Sequence, residues 1–221
     1  GLNPLRGILP ESEILSLVEK LQAEGALVNW KNNPDGTRSP YEINVTYLDA
    51  LSTRDCDNNH RIARFILAHA VLLSFPGVPA VYIQSILGSR NDYEGVERLG
   101  YNRAINRKKY LAGAIDSELE NENSLRQTVY YRLRELISLR RAEKAFHPDS
   151  QACFSTAGEH VLKIMRIAQS GEKVTALFNF SDRVQTLESN IPSGRELIAG
   201  KDITGTTLTL NPWQVLWIKE N

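Results

Sequence analysis

Two polar segments of this chain carry residue types suited to holding a small, hydroxyl-rich ligand. One runs from Tyr41 through Glu42, Asn44, Thr46 and Asp49 to Leu51. The other runs from Asn91 to Arg98 and on into Asn102-Arg103-Ala104-Ile105-Asn106-Arg107. Sugars present dense hydroxyl groups and apolar ring faces, which proteins hold with Arg, Asn, Asp and Glu hydrogen bonds and aromatic rings. Tyr41, Glu42 and Asn44 supply one such mixture, and Arg103 and Arg107 supply two rigid donor forks. The alternative for the second segment is a solvated surface excursion, and residue chemistry alone leaves both readings open.

The elements around these segments follow from spacing. Pro10, Glu11 and Glu13 favour a helix N-terminus, Ile14, Leu15, Leu17, Val18 and Leu21 repeat at helical spacing, and Gly25 suits the C-cap. Ala26 to Trp30 reads as a short strand, Asn33-Pro34-Asp35-Gly36 as a turn, and Tyr41 to Tyr47 as a strand or extended loop. Asp57, Asn58 or Asn59 can cap a helix reaching Phe75, which Pro76-Gly77-Val78-Pro79 stops. Ala80-Val81-Tyr82-Ile83 then reads as a buried parallel strand, because strands covered on both faces lose polar alternation. Gly88 to Lys109 shows no period and is expected to be a loop. A loop of about twenty residues leaving the C-terminal end of a parallel strand is where sites gather. Asn121 to Lys144 predicts a long helix capped by Asn123 or Ser124. From His160 onward, alternating runs separated by turns predict an antiparallel sheet, with the boundary near Phe146 to Gly158.

Composition narrows the function classes. Lys plus Arg and Asp plus Glu number 26 each in 221 residues, so no net field recruits nucleic acid or an anionic membrane. The apolar stretch from Ile62 to Phe75 is shorter than the roughly twenty residues a membrane span needs. Cys56 and Cys153 have no metal-ligand spacing, and a reducing cytoplasm is the expected compartment, with a single bridge between them left open. His60 and His69 fall on different helix faces, so no metal site is expected. Asp55 and Asp57 suit helix capping better than paired catalysis, and Trp213 and Trp217 are expected on one face of the last strand as core. The chain begins at Gly1, in what reads as a loop in progress, and its one methionine is Met165, so a piece of a longer protein is expected.

The chain resembles the sucrose phosphorylases and their relatives within the α-amylase superfamily. The resemblance rests on Gly1 to Ile8, Tyr41 to Leu51, Phe75 to Tyr82, and Asn91 to Arg107 ending Ile105-Asn106-Arg107. It implies an α/β fold: the C-terminal part of a (β/α)8 TIM barrel in residues 1–146, with an insertion at about 7–58 before the last strand, then a small antiparallel all-β domain in 147–221. It also implies retaining transfer of glucosyl from an α-glucoside to phosphate, in which a nucleophile, an acid/base and a third carboxylate cooperate. Gly1 resembles the final glycine of a His-Asp-Gly-Ile-Gly motif, so all three catalytic carboxylates would lie upstream and no catalytic residue is assigned. Tyr41 and Glu42 resemble an acceptor-site loop, with Glu42 standing where the sucrose enzymes usually have glutamine. Arg107 resembles the arginine that holds the glucosyl unit, and Arg103 is the alternative. The loop from Arg90 to Tyr93 looks closer to the glucosylglycerate and glucosylglycerol phosphorylase branch. On this reading no metal or organic cofactor is needed. The partners are a small α-glucoside and inorganic phosphate as co-substrate, with a homodimer of the intact enzyme left open. Two other readings are a hydrolase or transglucosidase of the same superfamily, and a non-catalytic carbohydrate-binding or interaction module.

Overall fold

The computed structural model describes residues 1–188 and 191–221. Contacts divide the chain into two units, Gly1–Arg61 with Tyr82–Gln127, and Ile62–Val81 with Thr128–Asn221. This grouping differs from a linear split at 146 and 147, because it assigns two helical stretches to the unit that holds the large sheet.

In the first unit, helix α1 (Glu11–Ala23) buries Ile14 and Val18 and carries Glu11 and Glu13 in its first turn, favourable at the positive end of the helix dipole. Gly25 follows at φ +100°, a left-handed conformation that releases the chain into β1 (Leu27–Asn32). Strand β2 (Arg38–Asn44) pairs antiparallel with β1, from Leu27 opposite Asn44 to Asn32 opposite Arg38, with a register shift at Asn29 and Trp30. Leu2, Ile14, Val18 and Val28 form the core beneath this hairpin. The strand or extended loop expected over Tyr41 to Tyr47 is a strand as far as Asn44, beyond which the Thr46 side chain accepts from the Asp49 backbone N–H and caps the one-turn helix α2 (Tyr47–Ala50).

Helix α3 (Asn58–Ser74) starts where the sequence predicts. The Asp57 side chain accepts from the backbone N–H groups of Asn59 (2.8 Å) and His60 (3.0 Å). The strand expected at Ala80 to Ile83 is absent. Tyr82 is extended, α4 (Ile83–Ile86) begins at once, and no barrel closes among the described residues. A strand needs at least one paired neighbour, and among the described residues no strand pairs with this run; Tyr82 and Ile83 are exposed. The segment from Gly88 to Lys109, expected as a loop, contains helix α5 (Tyr93–Leu99) and a 3₁₀ turn (Asn102–Asn106). Asp92 caps α5 through the Gly95 N–H, and Gly100 ends it at φ +73°. Polar composition hid a helix that its caps define. A further helix, α6 (Ala112–Glu120), had no clear sequence signal.

Helix α7 (Leu125–Ala142) begins directly after Ser124, one of the two expected caps, whose hydroxyl accepts from the Gln127 N–H at 2.9 Å. Its stripe of Val129, Leu133, Leu136 and Arg140 is buried. In the second unit, β3 (Gln151–Thr156), β4 (Val161–Ile167), β5 (Lys173–Asn179), β7 (Gly194–Glu196), β8 (Lys201–Ile203) and β10 (Val215–Glu220) form one antiparallel sheet ordered β3-β4-β5-β10-β7-β8. A second pair joins β6 (Gln185–Leu187) to β9 (Leu208–Leu210). Leu177, Leu216 and Ile218 pack with Val161 and Leu210. Trp217 is fully buried with its ring centroid 4.7 Å from that of Phe146. Trp213 does not share its strand. It sits before β10 at φ +56° with the Arg64 guanidinium 4.6 Å above its ring. Cys56 and Cys153 are both free thiols. Among the described residues no helix is long and apolar enough to cross a membrane.

Candidate functional site

The two polar segments singled out in the sequence meet in the first unit. Glu42 on β2 accepts from Arg103 Nε at 3.0 and 3.2 Å and from Asn29 Nδ2 at 2.8 Å. Asn102 Nδ2 donates to Asn29 Oδ1 at 2.8 Å, so the hairpin and the 3₁₀ turn are joined by a chain of four side chains. Asn106 Nδ2 donates to the Val45 carbonyl at 3.3 Å. Burial opposes ionisation of Glu42, but the hydrogen bonds from Asn29 and Arg103 and the charge of Arg103 outweigh it and hold the carboxyl below its usual range.

Asp49 makes the second junction. Its carboxylate accepts from Arg61 Nη1 (3.1 Å), Arg90 Nε, the Asn91 backbone N–H (2.7 Å) and Thr46 Oγ1 (3.2 Å). Asn91 Oδ1 in return accepts from the Thr46 N–H at 2.8 Å. Arg61 is 2% exposed and its Nη2 also donates to the carbonyls of Thr53, Arg54 and Cys56. Sequence reasoning missed Asp49, Arg61 and Arg90 as a unit. A polar Asp within an otherwise apolar Tyr47-Leu48-Ala50-Leu51 turn was the available signal.

The other expected site residues behave differently from one another. Tyr41 is half-buried, and its carbonyl accepts from the Leu2 N–H at 2.9 Å. Asn44 is buried, and its amide donates to the Leu27 carbonyl at 3.3 Å, closing the hairpin. Arg103 is committed to Glu42. Arg107 follows the 3₁₀ turn, is exposed, and its guanidinium has no partner among the described residues. Its backbone is nevertheless held. Ala104 and Ile105 are buried, the Ile105 carbonyl accepts from Asp92 N–H at 2.8 Å, and the Lys108 carbonyl accepts from Gln84 Nε2 at 2.9 Å. A free donor fork on a fixed backbone can bind a hydroxyl or an oxyanion with little ordering cost.

The Glu42–Arg103 pair gives a pH signature. A carboxyl held below its unfolded value stabilises the fold above the usual carboxylate range, and this is lost as pH falls through the folded value. Arg103 is 47% exposed, so screening keeps the contribution small. Glu42→Gln is therefore expected to cost less than about 1 kcal/mol at neutral pH and to flatten the acid limb of stability. Urea titrations across pH would check this, and a variant with an unchanged acid limb would contradict it.

No family model matches the chain. Its fold matches that of sucrose 6F-phosphate phosphorylase from Thermoanaerobacter thermosaccharolyticum with a TM-score of 0.66 at 20% identity, covering 93% of this chain and 38% of that one. The chain is similar to the glucosylglycerate and sucrose phosphorylases and matches the C-terminal part of such proteins. It is 63% identical over 219 residues to glucosylglycerate phosphorylase of Escherichia coli (strain K12), covering 99% of this chain and 39% of that protein. It is 36% identical over 220 residues to glucosylglycerate phosphorylase of Allomeiothermus silvanus, covering 99% and 38%. The chain thus spans about two fifths of the length of these relatives.

Proposed function

We propose that this chain forms the acceptor-loop and C-terminal part of a retaining glucoside phosphorylase. The whole enzyme transfers glucosyl from an α-glucoside, glucosylglycerate in the first instance, to inorganic phosphate and releases glucose 1-phosphate. The catalytic carboxylates belong to the remainder of such an enzyme, and no metal or organic cofactor takes part. The observation that carries this reading is the pairing of Glu42 with Arg103, which joins the segments that hold Tyr41 and Arg107 in one unit, while the Arg107 guanidinium has no partner among the described residues. In this reading Arg107 and Tyr41 touch the ligand, while Glu42, Arg103 and Asn44 shape the loop that presents them. Similarity to glucosylglycerate phosphorylases over nearly the whole chain supports the choice of substrate.

The test is phosphate-dependent release of glucose 1-phosphate from glucosylglycerate by the full-length protein. Release of free glucose at the same rate with and without phosphate would identify a hydrolase instead. The 221-residue chain alone is expected to show no turnover.

A further inference from the structure

The first unit contains a cavity of about 460 Å³ that Tyr41 and Arg107 do not line. Its wall carries three arginines, Arg54, Arg61 and Arg90, against two carboxylates, Glu24 and Asp49. The carboxylates are already occupied. Asp49 accepts from four donors, two of them guanidinium groups, and Glu24 Oε2 accepts from the Arg54 backbone N–H at 2.8 Å. Arg61 holds Asp49 through Nη1 and three carbonyls through Nη2, while its buried Nε has no hydrogen-bond partner among the described residues.

The remaining donors are not committed. Arg54 is anchored by its Nε on the Glu24 carbonyl at 3.1 Å, and Arg90 by its Nε on Asp49, and the Nη groups of both have no hydrogen-bond partner among the described residues. The Ser52 side chain, in a residue only 6% exposed, also lines the cavity, and its hydroxyl has no partner among the described residues. A buried hydroxyl without a partner costs about 1–3 kcal/mol, so such a group signals a missing acceptor. Two guanidinium forks, each fixed at its Nε edge and brought in by separate loops, together with net positive charge, suit a dianion better than a neutral sugar. The volume exceeds that of a bare ion and falls within the usual range for small-molecule sites.

We infer that this cavity binds a phosphoryl dianion, carried by a small phosphomonoester or supplied as free phosphate. The lining includes neither Tyr41 nor Arg107, and the inference does not rest on the phosphorylase reading. Isothermal titration of the full-length protein with inorganic phosphate, and separately with glycerol 3-phosphate, tests it. One binding event is expected to weaken at least about tenfold in both Arg54→Gln and Arg90→Gln, a change of about 1.4 kcal/mol. The same event is expected to survive in Arg107→Gln even where turnover is lost. Tighter binding of glycerol 3-phosphate would identify the monoester as the ligand source, and tighter binding of phosphate the free ion. A second measurement needs no variant: phosphate or glycerol 3-phosphate should slow phenylglyoxal modification of Arg54 and Arg90, read by peptide mass spectrometry. Isotherms of both variants that superimpose on the parent, or unprotected arginines at millimolar ligand, would overturn the inference.

Discussion

On the function proposed above, replacing Arg107 by glutamine in the full-length protein is expected to lower kcat/KM for phosphorolysis by about 100-fold, equivalent to about 2.7 kcal/mol of transition-state stabilisation. The expectation rests on a contrast between two arginines four residues apart. Arg103 donates to both oxygens of Glu42, so a ligand would have to displace an existing ion pair to use it. Arg107 has a fixed backbone and a guanidinium with no partner among the described residues. Lysine at this position should rescue little, because a point charge does not reproduce two parallel donors. Arg103→Gln should act more weakly and mainly through KM, since its loss loosens the loop and leaves the donor fork in place. Steady-state kinetics on the three variants decide the matter. If Arg103→Gln proved the more damaging, the two roles would have to be exchanged.

The largest stability effect is expected at Arg166 in the second unit. Its side chain is fully buried and has no carboxylate partner among the described residues. It donates to the carbonyls of Ser74 (2.9 Å), His147 (2.8 Å), Ser150 (3.3 Å) and Gln151 (3.3 Å). Arg140 acts beside it, donating to the carbonyls of Leu73 (2.6 Å) and Gly77 (2.8 Å). Leu73 and Ser74 end α3, so the two cations lie where the helix dipole is negative. Burial lowers the pKa of both arginines, and the charge of Arg140 lowers that of Arg166 further. Arg166→Met would strand several buried carbonyls, which suggests a loss of about 3 kcal/mol or more. For a chain of this size, that corresponds to roughly 6–12 °C in Tm. Arg166→Lys should recover little, having three donors and no planar fork. Thermal and urea denaturation would check both variants, and a loss within about 0.5 kcal/mol for Arg166→Met would show that the carbonyls find other partners.

Much of the local structure was legible because it is written in adjacent residues. Asp57 capping α3, the Asn33-Pro34-Asp35-Gly36 turn and the alternation of β4 all depend on neighbours in the chain. The Glu42–Arg103 pair spans 61 residues, and no local pattern encodes it. Arg166 was misleading in the opposite sense. An arginine in an alternating strand normally marks the solvent face, yet here it is buried because loop carbonyls take the place of water. The run from Ala80 to Ile83 failed for a different reason. Its apolar character is real, but strand geometry is a property of a pair, and no described strand pairs with it. Of the candidate site, the residue types and segments could be read in advance. Which donors were free and which were committed could not, because that depends on tertiary partners.

The order of strands in the large sheet bears on how the protein is made. Strand β10 lies between β5 and β7, although it follows both in the chain. While a ribosome is still synthesising the residues before Val215, β3-β4-β5 and β7-β8 have no common neighbour, and each keeps an open edge. Open edges on a nascent chain invite pairing with other chains. The sheet can therefore be completed only after Val215–Glu220 has been synthesised, and loss of this segment would remove the strand that joins its two halves.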